Sequence, residues 1–177
     1  FASNPLIAKR HAGEIANLII LNTSNKGLCG GINTYNLKAL KNRVEELKRR
    51  GHKIFIYSIG KKGFDYCTSH YPEYLFNKTP VILEEKAGFD LEQIKNEVVE
   101  VISKNAICSS SIIYSKFFGT TTQKTDEIHL TPIHSSKLTA GHSEKYHFDS
   151  SVGEVLKKLI PEFMLCKILL SVFENAT

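Results

Sequence analysis

Ser24-Asn25-Lys26-Gly27-Leu28-Cys29-Gly30-Gly31-Ile32-Asn33 follows the apolar run Ile15-Ala16-Asn17-Leu18-Ile19-Ile20-Leu21 and precedes a strongly periodic segment. A strand feeding a glycine-rich turn feeding a helix is where open α/β sheets place their ligands. The near-continuous apolar character of about Ile15 to Asn22 suits a strand covered on both faces. Beyond the turn a helix is predicted from about Thr34 to Arg50, with Leu37, Leu40, Val44 and Leu47 on one face. Glu45 is placed to pair with Arg49 and Glu46 with Arg50, and Gly51 is the expected left-handed cap.

Outward from this unit the pattern repeats. Lys53 to Ile59 reads as a second strand ending at Gly60, and Lys61-Lys62-Gly63-Phe64-Asp65-Tyr66 opens a short helix to about Tyr71. Tyr74 to Leu83 reads as one or two short strands broken around Lys78-Thr79-Pro80. A third helix opens at Asp90, with Gln93 completing a capping box and Phe89 and Ile94 forming a staple. Leu91, Ile94, Val98, Val101 and Ile102 are its expected buried face. Ser111 to Phe118 is a strand, Gly119 to Lys124 a turn, and Glu127 to Ile133 an antiparallel partner. From Ser151 the pattern is helical, with Val155, Leu156, Leu159, Ile160, Phe163 and Met164 on one side. Pro161 is expected to kink or restart that helix. Leu165, Ile168, Leu169, Val172 and Phe173 carry the apolar periodicity to the end without a cap, which points to a native chain that continues. The expected fold is therefore α/β: a three-layer, Rossmann-like open sheet, mostly parallel with a terminal antiparallel hairpin, then the start of a long C-terminal helix. Residues 1–14 form a connecting segment, 15–149 the globular domain and 150–177 the truncated helix.

Composition narrows the function classes. Of 177 residues 42% are hydrophobic and 23% charged, ordinary values for a globular chain. No apolar run approaches the ~20 residues that span a bilayer. A net charge of +5 suits nucleic acid or an acidic protein surface. From Lys38 to Lys62 nine Lys or Arg stand against two Glu, largely explained by helix ends and exposed faces, so nucleic acid is a weak option. Cys29, Cys67, Cys108 and Cys166 form no C-x-x-C pair, and no H-E-x-x-H occurs among the seven histidines, which gives no metal site and no cofactor.

The glycine turn fails as a phosphate loop on spacing. The ATPase type needs G-x-x-x-x-G-K-[ST], whereas Gly31 is followed by Ile32 and Asn33. The dinucleotide type needs G-x-G-x-x-G, which Gly27, Gly30 and Gly31 do not supply. The glycines then serve a tight turn and close backbone approach. Anion binding at Gly27–Gly31 stays open as the alternative. Cys29 beside a helix N-terminus reads as a packed thiol or as a nucleophile of lowered pKa, but no histidine is tied to it. No G-x-S-x-G elbow and no singled-out acid–base pair is present. The residues offer an α/β domain without visible catalytic equipment.

The same ten residues are similar to the S-D-R-G-L-C-G-G-L-N motif of the gamma subunit of rotary ATP synthases. Asn4-Pro5-Leu6-Ile7 resembles that family's H-P-L-L, and Ile59-Gly60-Lys61-Lys62-Gly63 its I-G-x-K-G. Tyr114-Ser115-Lys116-Phe117, Thr120, Gln123 and Leu130-Thr131-Pro132 resemble N-K-F…T-x-Q…L-L-P. Phe148 to Phe163 resembles F-E-P-S-P-E-E-V-L-E-A-L-L-P-R-Y. The resemblance implies a non-catalytic rotor of a proton-translocating ATP synthase, whose N- and C-terminal helices form an antiparallel coiled coil inside the alpha and beta hexamer. It implies epsilon and the membrane c-ring as further partners, and a peripheral place on the cytoplasmic side of a bacterial inner membrane or its organellar equivalent. It carries subunit contact onto Lys26, Gly27, Leu28, Cys29, Gly30, Gly31 and Asn33, with Lys26 facing an acidic loop of beta. Lys26 stands for the family's arginine, Asn25 for an acid, and Ser150 and Val152 for prolines.

Overall fold

A computed structural model describes residues 15–27, 31–82, 91–105, 107–117, 123–131 and 152–176. The strands are β1 (Ala16–Asn22), β2 (Lys53–Ile59), β3 (Ile107–Phe117) and β4 (Gln123–Thr131). The helices are α1 (Ile32–Arg49), α2 (Lys61–His70), α3 (Leu91–Lys104) and α4 (Val152–Ala176). The sheet order is β2-β1-β3-β4. β1 runs parallel to β2 and β3, and β3 pairs antiparallel with β4. The three layers follow from the strand alternation. Ala16, Leu18 and Ile20 of β1 turn to the side of α3 and α4, whereas Ile19 and Leu21 turn to the side of α1 and α2. Every residue of β1 is buried, as a central parallel strand requires.

α1 buries Leu40, Val44 and Leu47 as its periodicity predicts. It begins at Ile32 rather than Thr34, with Gly31 at the N-cap. At its other end the Gly51 N–H donates to the Lys48 carbonyl (3.0 Å) and the His52 N–H to that of Leu47 (3.0 Å). With Gly51 at φ +70° this is the double-bonded left-handed termination expected of glycine. Arg50 reaches Glu46 at 2.6 Å as anticipated. Glu45, however, lies 3.9 Å from Lys41 one turn earlier in the helix. Among the described residues it forms no ion pair with Arg49.

Four further expectations shift. The segment after α2 lies along the outer edge of β2, touching it through parallel bridges at Leu75 and Val81. β3 starts at Ile107, four residues ahead of Ser111, because Cys108, Ser109 and Ser110 hide a strand behind small polar side chains. Gln123 and Lys124 belong to β4, opposite Phe117 and Lys116, and not to the turn. α4 neither ends nor restarts at Pro161. Its sheet-facing stripe, Ile160, Met164, Ile168 and Val172, packs on both sides of the proline and carries the helix through the lost bond. α3 buries Ile94, Val98, Val101 and Ile102 as predicted, while Phe89, Asp90 and the side chain of Leu91 lie outside the described residues.

Candidate functional site

The C-terminal ends of β1 and β2 lie side by side because the two strands are parallel and in register, Asn22 opposite Ile59. Two turns leave this edge together. The first begins with Thr23, whose N–H and hydroxyl both reach the Ile59 carbonyl, at 2.9 and 3.1 Å. The same hydroxyl oxygen accepts the Gly63 N–H at 2.8 Å. Ser24 receives the side chain of Asn33: its N–H donates to Asn33 Oδ1 at 3.1 Å, and Asn33 Nδ2 donates to its hydroxyl at 2.8 Å. Asn33 thus closes the turn on itself across nine residues. The hydroxyl of Ser24 in turn donates to the Lys26 carbonyl at 2.5 Å.

The second turn, at Gly60, is locked to the first. The Lys61 N–H reaches Asn25 Oδ1 at 3.3 Å, and the Lys62 N–H donates to the Ser24 carbonyl at 3.2 Å. Gly60 has φ +89°, and a Cβ there would sit 2.0 Å from the Thr23 carbonyl oxygen. Conformation and space both demand glycine at that position. Gly31 is different. Its φ of −80° suits any residue, but a Cβ would meet the Tyr35 ring at 2.3 Å. The ring of Tyr35, 58% exposed, covers the bare backbone of Gly31.

Lys26, Gly27 and Gly31 are exposed on the rim of this paired turn, with Lys61 and Lys62 beside them. Asn33 is half-buried and committed to Ser24, a role its spacing did not reveal. Leu28, Cys29 and Gly30 lie outside the described residues. The first turns of α1 and α2 hold no acidic residue, so the edge is cationic. The described histidines do not gather there: His52 meets Asn17 at 3.1 Å at the far end of the sheet, and His70 stacks on Tyr66. Cys67 is fully buried, and burial pushes its thiol up to about 12, which keeps it protonated and unreactive. Burial, then the hydrogen bond to Glu97 at 2.6 Å, likewise raise the Tyr57 phenol. No group of three or more His, Cys, Asp or Glu among the described residues could hold a metal.

α4 presents a second surface. Leu159, Phe163, Leu170 and Phe173 are 57%, 43%, 44% and 59% exposed, and Cys166 between them is exposed too. Leu159 and Phe163 therefore do not share the side of Ile160 and Met164, and Phe173 does not continue the buried stripe. Their steps of four, three, four and three residues form a heptad seam, the pattern of a helix that receives another helix. Helical apolar content this dense makes two stripes, one of period four against the sheet and one of period three and a half facing out. The alternation of spacings was the available signal. Among the described residues no helix is long and apolar enough to cross a membrane.

Fold and site together define an α/β body with a long C-terminal helix whose outer face bears an exposed apolar stripe of heptad spacing. Comparison with known proteins names the family. A family model described as ATP synthase matches residues 2–177, and the chain belongs to that family. An ATP synthase gamma chain of Pelagibacter ubique is 27% identical over 161 residues, covering 90% of this chain and 55% of the relative. One from Rickettsia bellii is 32% identical over 139 residues, covering 78% of this chain and 44% of the relative. The chain thus spans about half the length of these curated relatives. Among solved structures, a chain of Euglena gracilis mitochondrial ATP synthase (OSCP, F1 and c-ring, rotational state 3) superposes with a TM-score of 0.65 at 20% identity, covering 91% of this chain and 56% of that one. A chain of the Tetrahymena thermophila mitochondrial ATP synthase central stalk and c-ring gives 0.67 at 15% identity, covering 94% and 72%. These likenesses bear on the fold.

Proposed function

We propose that the chain is the globular part of a central-stalk rotor subunit that couples proton flow to ATP synthesis or hydrolysis by rotation and has no catalytic site of its own. The observation that carries this reading is the exposed heptad seam of α4, Leu159 to Phe173, on a body whose ligand edge is occupied by its own side chains. Residues 15–149 form the body, and 150–177 begin the coiled-coil helix. An asymmetric shaft presents a different face to each catalytic subunit and biases their conformations in turn.

In this reading Lys26, Gly27, Leu28, Cys29, Gly30 and Gly31 meet an acidic loop of a beta subunit within the alpha and beta hexamer, with Asn33 holding the turn in shape. Epsilon and the c-ring lie at the other end of the body. The complex is peripheral to the membrane, on the cytoplasmic face in a bacterium or the equivalent face in an organelle. The cationic edge of Lys26, Lys61 and Lys62 supports an acidic partner. The test is a cysteine in that beta loop and oxidation of the assembled enzyme. A disulfide to Cys29 that stops rotation is expected; failure at every rotor position would overturn the contact. Micromolar ATP or ADP binding by the isolated chain would favour anion binding at the turn instead.

A further inference from the structure

The stripe that seats α4 on the sheet is degenerate. Ile160, Met164, Ile168 and Val172 recur every four residues, so a four-residue slip of the helix puts each apolar side chain where its neighbour was. The slip is about 6 Å along the axis with a modest rotation. Apolar burial is non-directional and discriminates weakly between such settings. Two polar residues on the packed face break the repeat: Glu174, half-buried and hydrogen-bonded to the Tyr114 phenol of β3, and Ser171. Ser171 is fully buried, and the residues four before and four after it are Lys167 and Asn175, both too large for a site that holds a hydroxyl.

Ser171 meets Asn22, the last residue of β1. Asn22 Nδ2 donates to Ser171 Oγ at 3.4 Å, and that hydroxyl donates to the Ile168 carbonyl at 2.7 Å. Asn22 is itself held. It is 2% exposed, and its carbonyl accepts from Asn36 Nδ2 at 3.0 Å. Asn36, also fully buried, accepts at Oδ1 from Ser115 Oγ at 3.0 Å and from Thr125 Oγ1 at 2.9 Å. A chain of polar contacts thus runs from β4 and β3 through α1 and β1 to α4, crossing the sheet from one helix layer to the other. The ion pair of Lys95 with Glu162 also joins α4 to α3, at 2.8 Å, but the Glu162 side chain is largely in water and can follow a sliding helix.

We propose that the Asn22–Ser171 hydrogen bond is a register pin that fixes one axial setting of α4 against the sheet. A lone buried polar residue on an apolar seam serves this purpose in coiled coils, where wrong settings leave it without a partner. Asn22 and Ser171 are positioning residues: any displacement of α4 is delivered to the strand that runs directly into the glycine turn. The pin stands on this geometry alone; that it bears the torque between shaft and body rests on the rotor reading above.

The test is double electron–electron resonance on the full-length chain, with labels at Lys41→Cys and Glu162→Cys after Cys29, Cys108 and Cys166 are changed to serine. With the pin intact the label distance is single and narrow. In the double variant Asn22→Leu/Ser171→Ala, which leaves no unpaired amide, a second population several ångströms away is expected while cooperative unfolding is retained. Ser171→Ala alone is expected to do the same and serves if the double variant fails to fold. One narrow, unshifted distance in a folded variant overturns the pin. In the assembled enzyme the loosened variant is expected to pump fewer protons per ATP hydrolysed. Unchanged coupling despite a loosened register overturns the mechanical role and leaves the pin standing.

Discussion

Replacing Gly60 with alanine separates two penalties that the sequence does not distinguish. Gly60 and Gly51 both have positive φ, +89° and +70°. At Gly51 an added Cβ meets nothing within 4 Å, so Gly51→Ala carries only the left-handed backbone cost, about 1 kcal/mol. At Gly60 the conformation, with ψ 143°, is one that essentially only glycine adopts, which costs about 1–3 kcal/mol in alanine. The new Cβ would also stand 2.0 Å from the Thr23 carbonyl oxygen and 2.8 Å from its hydroxyl. Relief requires moving Thr23, whose bonds to Ile59 and Gly63 are worth about 1 kcal/mol each. Gly60→Ala should therefore cost about 3–5 kcal/mol, at least twice the loss at Gly51. Urea denaturation of the two variants beside the parent chain measures the difference. Equal losses would refute the close approach of the two turns, and with it the paired edge on which the proposed contact surface is built.

Other outcomes are fixed by single features. Leu40→Ala, at a fully buried position of α1, should lose about 2–5 kcal/mol by the same urea assay. Cys67 has a thiol raised from 9.0 to about 12, so its contribution to stability is complete below pH 9 and is lost as the pH rises toward 12. Between those values the parent should lose stability faster than Cys67→Ala, by at most about 1.4 kcal/mol per pH unit; parallel slopes would contradict the buried thiol. Asn33→Ala removes both bonds to Ser24 and should destabilise by roughly 1–2 kcal/mol while leaving α1 helical, checked by denaturation and circular dichroism. Leu170→Glu with Phe173→Glu should scarcely change the stability of the body, since both side chains are exposed, yet on the rotor reading proposed above should block assembly of the enzyme, read by gel filtration.

The elements that decide the fold were legible where periodicity and punctuation agree. β1, α1 with its Gly51 terminator, and β2 each carry an apolar pattern bounded by glycine, and the structure has them within two residues. The start of β3 was not legible, because Ser109 and Ser110 are in the sheet by pairing with Asn17 and Leu18 and not by any preference of their own. α4 misled differently. Leu159 and Phe163 lie beside Ile160 and Met164 in sequence, and only the packing direction assigns one pair to solvent and the other to the core. At the site, the glycine turn stood out at once. That Asn33 folds inward to Ser24 is a local contact that its spacing does not announce, and that Lys61 and Lys62 come beside the turn depends on parallel pairing across more than thirty residues.

The sheet edges bear on how the chain avoids unwanted association. An open strand edge is a template onto which a neighbouring chain can add a strand and aggregate. On one side the chain blocks this with its own backbone: Phe76 donates to the Ile56 carbonyl at 2.8 Å, Ile56 to that of Tyr74 at 2.7 Å, and Gly60 to that of Val81 at 2.8 Å. On the other, β4 is the last strand among the described residues and carries Lys124, Asp126 and Glu127, whose exposed charges discourage an unwanted partner. For the rotor proposed above, a body turning among other subunits gains from having no sticky rim, and among the described residues both rims are closed, one by occupation and the other by repulsion.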